Sequence, residues 1–208
     1  MNTQSPPWAL NPRIVAVAIT WFAALRTPAF WQLGAAFTLL AFIGPGLWAH
    51  MMPALQAKGL SELQALSVLV WIGPAQVLGR FAYAWVGRGL ALHRLGMLVT
   101  VAMPLALLLL ALGDGLFSAW LFAAVFGLAN GLTTIVRGSL LPLHFGHAHI
   151  GRIGGAMATL ALSAQAAAPL AIAGMLLLAG GYVQVLLLLA VLGGVGAVVF
   201  ARVSSGTS

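Results

Sequence analysis

The chain has 208 residues, 62% hydrophobic and 5% charged, with a mean hydropathy of +1.07. Soluble domains carry about 25% charged residues, so nine basic and two acidic side chains cannot build a water-facing surface. The net charge of +7 comes as single, scattered arginines without interleaved aromatics, which argues against a nucleic-acid partner, and the lack of cysteine excludes disulfides and thiol chemistry.

The start, "MNTQSPPWALNPR", has no charged n-region, apolar core and small-residue cleavage site, so it does not read as a signal peptide. Residues 1–26 are expected to form a cytoplasmic segment. Within it "IVAVAITWFAAL", at 14–25, lies between Arg13 and Arg26. It is too short to cross a bilayer core that needs roughly 20 apolar residues, so it predicts a surface-lying or linker helix.

Six segments that follow are long and apolar enough to span. They run from about Ala29 to Met52, Leu63 to Val86, Leu95 to Leu112, Leu116 to Leu141, Ile153 to Leu178 and Tyr182 to Val203. The breaks "QAKGLSE", "GRGLALHR", "GDG", "PLHFGHAHIGR" and "AGG" read as loops. Residues 27–203 thus form one six-helix bundle, and residues 204–208 a short cytoplasmic tail.

An even number of spans puts both termini on one side. Arg13, Arg26, Arg80, Arg88, Arg94, Arg137, Arg152 and Arg202 fall on or near that side, while Lys58 alone lies opposite, beside Glu62 and Asp114. Lys/Arg excess marks the cytoplasmic face, so both termini are expected inside a bacterial inner membrane.

Polarity recurs every three helices. The third and sixth spans are almost free of polar side chains. The second and fifth carry Gln76 and Gln165 near mid-membrane, and the first and fourth carry Thr38 and Asn130. Three is odd, so the second triplet is inverted relative to the first. The expected fold is an all-α membrane protein of six transmembrane helices arranged as two inverted three-helix repeats.

Three stretches carry a family resemblance: "LRTPAFWQLGAAFTLLAFIGPG", "IGPAQVLGRFAYAWVGRGLALHRLG" and "GLANGLTTIVRGSLLPLHFG". In order, they resemble the lead-in to the seventh helix, the second-half loop motif and the tenth helix of a major facilitator superfamily transporter. The likeness covers about residues 26–203, the C-terminal six-helix half of that fold, for which nested inverted repeats are an established pattern. The acidic residue usual in the loop motif is absent, since Val86, Gly87 and Arg88 stand there. The resemblance implies alternating access around a midplane site, with a second six-helix half supplied by a homodimer or by a separate N-terminal half.

Candidate solute-binding residues follow. Asn130, Thr133, Thr134 and Arg137 sit at i, i+3, i+4 and i+7 and share a helix face. Polar side chains within a span usually face the bundle interior or a water-filled cavity. The competing reading for the threonines is a bond to their own helix carbonyls, and for Asn130 a helix–helix contact, with Gly127 and Gly131 forming a small-xxx-small pair beside it. Gln76, Arg80 and Tyr83 share a face at i, i+4, i+7. Arg80 and Arg137 lie near the cytoplasmic end, where they either snorkel to the interface or meet an anion or carboxylate. The expected substrate-binding set is Thr38, Gln76, Asn130, Thr133, Thr134 and Gln165, with Arg80 and Arg137 nearer the cytoplasm. "GPG" at 44–46 predicts a break in the first helix, read either as the flank of a binding site or gating bend or as a simple kink or packing accommodation, and His50 beyond it reads as an ordinary interfacial histidine.

No metal or other cofactor is expected. His144, His147 and His149 lie close together, but no Cys or carboxylate joins them, so they read as a solvated loop. The only acids, Glu62 and Asp114, lie in outer loops, so this chain offers no membrane carboxylate to carry a proton. The Ser/His pattern of a rhomboid-type protease and the HExxH of an intramembrane metalloprotease are both missing. The sequence therefore predicts no enzyme. It predicts a half-transporter in contact with lipid, moving a small neutral or anionic solute; the other reading is a non-transporting membrane scaffold or a truncated remnant of such a transporter.

Overall fold

In a computed structural model that describes residues 21–85 and 89–203, the chain is helical apart from short turns. A short helix, Trp21–Leu25, leads into six long ones: α1 (Pro28–Ala57), α2 (Glu62–Trp85), α3 (Leu92–Leu112), α4 (Gly115–Phe145), α5 (Ile150–Ala179) and α6 (Tyr182–Ala201). All six are long and apolar enough to cross a membrane. Most of the expected interfacial helix at 14–25, the expected tail at 204–208, and the loop residues 86–88 lie outside the described residues.

Local chemistry sets the helix ends. Thr27 caps α1 by accepting from the Phe30 N–H at 3.3 Å, and Pro28 occupies the first turn, where its missing donor costs nothing. Ser61 and Gln64 form a reciprocal capping box at α2: the Ser61 N–H donates to Gln64 Oε1 at 2.9 Å, and the Gln64 N–H donates to Ser61 Oγ at 3.3 Å. Gly180, at φ 77°, ends α5 in the left-handed conformation that only glycine adopts at little cost.

Four helices run further than the sequence predicts. α1 continues to Ala57, α3 begins at Leu92, α4 passes through Pro142 to Phe145, and α5 begins at Ile150. The "GPG" at 44–46 does not break α1, which is corrected here: Pro45 sits inside a continuous helix, as do Pro74, Pro104, Pro142 and Pro169 in theirs. In hydrocarbon an unwound segment would strand several backbone groups, whereas an embedded proline frees only one carbonyl, so the helix persists.

The helices pair across the chain order. α2 lies along α4 and α1 along α5; α3 packs against both α4 and α6, and α6 closes on α1. The result is a row α2–α4–α1–α5 backed by α3 and α6. Small residues make the close approaches possible, as expected where no hydrophobic effect separates helix from lipid. A Cβ on Gly127 would stand 2.5 Å from Ala75 Cβ and 2.8 Å from the Ile72 carbonyl; a Cβ on Gly46 would stand 2.9 Å from Ala168 Cβ. Aromatic contacts fill the interior, with Phe30 edge-on to Phe145 at 6.4 Å and Phe37 edge-on to Phe200 at 6.4 Å. α2 and α5 keep the smallest buried share of the six helices.

The charges segregate along the helices. Lys58, after α1, donates to Asp114 Oδ1 at 3.2 Å and to the Ala111 carbonyl at 3.1 Å, joining the ends of α1 and α3. The opposite ends carry Arg26, Arg94, Arg152 and Arg202. We refer to these as the lysine end and the arginine end.

Candidate functional site

The polar side chains fall on two helix pairs. On the α2–α4 pair, Gly131 is pressed against the Gln76 backbone, where an added Cβ would stand 2.9 Å from Gln76 Cα. That contact places Gln76 and Arg80 beside the Asn130–Arg137 stripe. Arg80 Nε donates to the Gly131 carbonyl at 3.3 Å, and Thr134 Oγ1 donates to the same oxygen at 3.1 Å. Asn130 is half-buried next to this point, and Arg137 is half-buried two turns on from Asn130. Gln76, Arg80, Asn130, Thr134 and Arg137 are therefore brought onto one stretch of the α2–α4 pair.

Thr133 is half-buried and donates to the Ala129 carbonyl at 2.8 Å. Both threonine hydroxyls are thus satisfied on their own helix, which is the back-bonding alternative for these residues. Their hydroxyl oxygens retain acceptor capacity only, the donor being spent on the helix.

Thr38 and Gln165 lie on the other pair, α1–α5. Gly34 faces Leu160 and Gly46 faces Ala168 and Ile172, so the two helices run side by side along this length. Gln165 is exposed. Thr38 Oγ1 is buried and has no hydrogen-bond partner among the described residues, an unusual state for a hydroxyl that could bond its own i−4 carbonyl. α1 and α4 meet only lightly between the two pairs.

The opposite flank of α2–α4 is apolar. Trp71 and Trp120 stand 5.6 Å apart, and a shallow groove runs beside them along Ala75, Leu78, Ala124 and Leu128. Apart from the two indole N–H groups, its lining is apolar.

Two histidines have a larger role than their positions in sequence suggest. His50, read from sequence as unremarkable, bridges three helices: Nε2 lies 3.0 Å from the Pro169 carbonyl on α5, and Nδ1 lies 3.4 Å from the Tyr182 hydroxyl at the start of α6. His93, at the arginine end of α3, stacks on Phe200 of α6 at 5.4 Å and 19°, with its Nδ1 buried and without a partner among the described residues. No sequence signal marks either, because both depend on which helix ends lie side by side. His144 is not in a loop, as expected, but in the last turn of α4, where Nδ1 lies 3.0 Å from the Leu140 carbonyl. Among the described residues no group of three metal-ligating side chains converges.

Chemically, the α2–α4 stretch offers two guanidinium groups, two carboxamides and no acid. It can hold and orient a polar or anionic group, and it carries no nucleophile with a base beside it. No protein-family model and no curated protein matches this chain.

Proposed function

We propose that the chain is one half of a secondary transporter resembling the major facilitator superfamily, built from two inverted three-helix repeats and working with a second six-helix unit. The helix pairing is the observation that carries this reading. Exchanging α1 with α4, α2 with α5 and α3 with α6 turns the α1–α5 pair into α4–α2, turns α3–α4 into α6–α1, and leaves α3–α6 unchanged. Two inverted triplets around a two-fold axis would interchange their contacts in this way. The exchange is not exact: α3 packs more extensively on α4 than α6 does on α1, and α5 approaches α6 more closely than α2 approaches α3.

The polar residues follow the same division. Thr38, Gln76, Asn130 and Gln165 all lie on the row α2–α4–α1–α5, and α3 and α6 stand behind it. The row contains the two least buried helices, α2 and α5, so it is the face offered to a second unit. A small solute would sit between the two units at mid-depth, and rocking of one against the other would expose it to either side in turn. The arginine end would face the cytoplasm of a bacterial inner membrane.

The lack of cysteine makes the test direct. Single cysteines replace Asn130, Thr134 or Gln165, and for comparison Leu121 or Val191 on exposed apolar faces. Thiols react with maleimides as thiolates, which form only where water reaches. Labelling in intact membranes is expected at the first three positions and not at the last two. Equal labelling of both groups, or none at Asn130→Cys, would exclude a water-filled path along this face.

A further inference from the structure

We propose that Arg80 and Arg137 form a binding site for a carboxylate or phosphate anion. This proposal rests on the cavity reading of the α2–α4 face and narrows its ligand from a small solute to an anionic one.

A guanidinium carries five N–H donors. Arg80 uses only Nε, on the Gly131 carbonyl, and its terminal nitrogens meet no acceptor among the described residues. Arg137 makes neither a hydrogen bond nor an ion pair among them, although it is half-buried. Glu62 and Asp114 are the only acids of the chain. Both lie by the lysine end, and Asp114 is already engaged by Lys58. Two cations near one helix pair are left without a counter-charge from their own chain, an arrangement costly in low dielectric unless an anion completes it.

Snorkelling does not account for Arg80. Its α-carbon lies five residues before Trp85, about 7 Å from the arginine end of α2. A side chain escaping to water would extend toward that end. Instead its Nε is bound to Gly131, which packs on Gln76, one turn of α2 further into the membrane. α2 runs toward the arginine end, and helical side chains lean toward their helix N-terminus, so the guanidinium is aimed back toward mid-depth. Thr134, bound to the same carbonyl, fixes the side of α4 on which it lies. Arg137 follows Thr134 by three residues on α4, so it neighbours on one helix face the side chain that shares the Gly131 carbonyl with Arg80.

The planar fork of a guanidinium matches two oxygens of a carboxylate or phosphate, which is why paired arginines select such groups over neutral ones. Asn130 and Gln76 beside them add neutral donors and acceptors. The anion has two possible sources, a free solute or a lipid headgroup.

The test uses the purified full-length chain in phosphatidylcholine nanodiscs, with heat unfolding followed at constant ionic strength. Inorganic phosphate or acetate replaces chloride, and choline serves as the cation control. Saturating phosphate or acetate should raise the midpoint by roughly 3 °C or more. The rise should vanish in Arg80→Gln and Arg137→Gln and persist in Arg94→Gln, which lies outside the cluster. Arg80→Lys covers the case in which Arg80→Gln fails to fold: it keeps the charge, loses the fork and should bind severalfold more weakly. A rise seen only when phosphatidylglycerol replaces phosphatidylcholine, and lost in Arg80→Gln or Arg80→Lys, assigns the site to a headgroup and upholds the proposal. No rise with any anion or anionic lipid, or a rise unchanged by both arginine substitutions, overturns it. Maleimide labelling of Asn130→Cys on the same preparations separates the two readings. Labelling without an anion response leaves the cavity and removes the anion; an anion response without labelling leaves an anion site and removes the cavity.

Discussion

Arg80 and Thr134 meet on a single atom, the carbonyl oxygen of Gly131, at 3.3 and 3.1 Å. The carbonyl lies inside the continuous helix α4 and serves the helical N–H four residues on, so a side chain of α4 and a cation from α2 meet it as additional donors. The glycine makes this possible: without a Cβ it lets α2 approach until Gln76 lies against it. A small residue, chosen for close approach, thus decides where a guanidinium is held in the membrane. Fold and site share this residue, so its substitution separates packing from function.

Gly131→Ala places a methyl group where the Gln76 backbone already stands. Backbone cannot swing aside as a side-chain tip can, so α2 and α4 must part. Overpacking of this kind costs about 1–3 kcal/mol, a fall of roughly 2–10 °C in unfolding midpoint for a chain of this length. Gly138→Ala on the same helix meets nothing within 4 Å and should leave the midpoint unchanged or slightly raised. Heat unfolding of both variants in nanodiscs checks this, and an equal response would mean that α2 and α4 do not approach this closely.

Most of the helix plan is legible in the sequence because span length is a composition signal. The six expected spans match α1–α6 within a few residues, and the Gly127/Gly131 pair marks a helix contact before any partner is known. What fails has a common cause. "GPG" suggests a break because proline and glycine end helices in water; in lipid, the freed backbone groups would find no water, and α1 stays intact through Pro45. His50 looks unremarkable because its partners, Pro169 and Tyr182, lie more than a hundred residues away in sequence. Helix periodicity shows which face a residue occupies and not which helix lies opposite. For that reason the Asn130 stripe is visible in the sequence, while the link from Arg80 to Gly131 is not.

The Lys58–Asp114 pair should be asymmetric under mutation. Asp114 is 94% exposed and Lys58 only 10% exposed, and Lys58 also donates to the Ala111 carbonyl at the end of α3. An exposed ion pair contributes below about 1 kcal/mol and weakens with salt. Asp114→Asn should therefore shift the unfolding midpoint by no more than roughly 2–3 °C, with a difference that shrinks at high salt. Lys58→Met removes the tie to α3 as well and should cost more, with a salt-independent remainder. Equal effects of the two substitutions would show that the carbonyl bond contributes nothing.

In the proposed two-unit transporter, the stripe on α4 should divide by how each polar group is already satisfied. Asn130 has no hydrogen bond among the described residues and is free to serve a solute. Asn130→Ala should lower solute uptake about tenfold, the loss of roughly one good hydrogen bond at the barrier. Thr133→Val keeps the shape and loses only a bond to the Ala129 carbonyl of the same helix. Uptake by that variant should stay within about twofold of the parent. Uptake by vesicles containing both halves makes the comparison; equal losses would place Asn130 in packing and not in the cavity.

His50 supplies the sharpest structural test, because its two bonds differ in length. The 3.0 Å contact to the Pro169 carbonyl is within the usual range for nitrogen to oxygen, while 3.4 Å to the Tyr182 hydroxyl is long. Nε2 must donate to the carbonyl, which has no proton to give, leaving Nδ1 to accept from the tyrosine in the neutral ring. Tyr182→Phe removes the weaker bond and should cost less than about 0.5 kcal/mol, whereas His50→Phe removes both, leaves the Pro169 carbonyl only its helical partner, and should cost about 1 kcal/mol. Hydrogen exchange at the lysine end of α5 is the sensitive readout, since this end of the least buried helix is tied to α1 through His50. Faster exchange of α5 amides near Pro169 is expected in His50→Phe and not in Tyr182→Phe. The reverse order would mean that the tyrosine, and not the proline carbonyl, anchors the histidine.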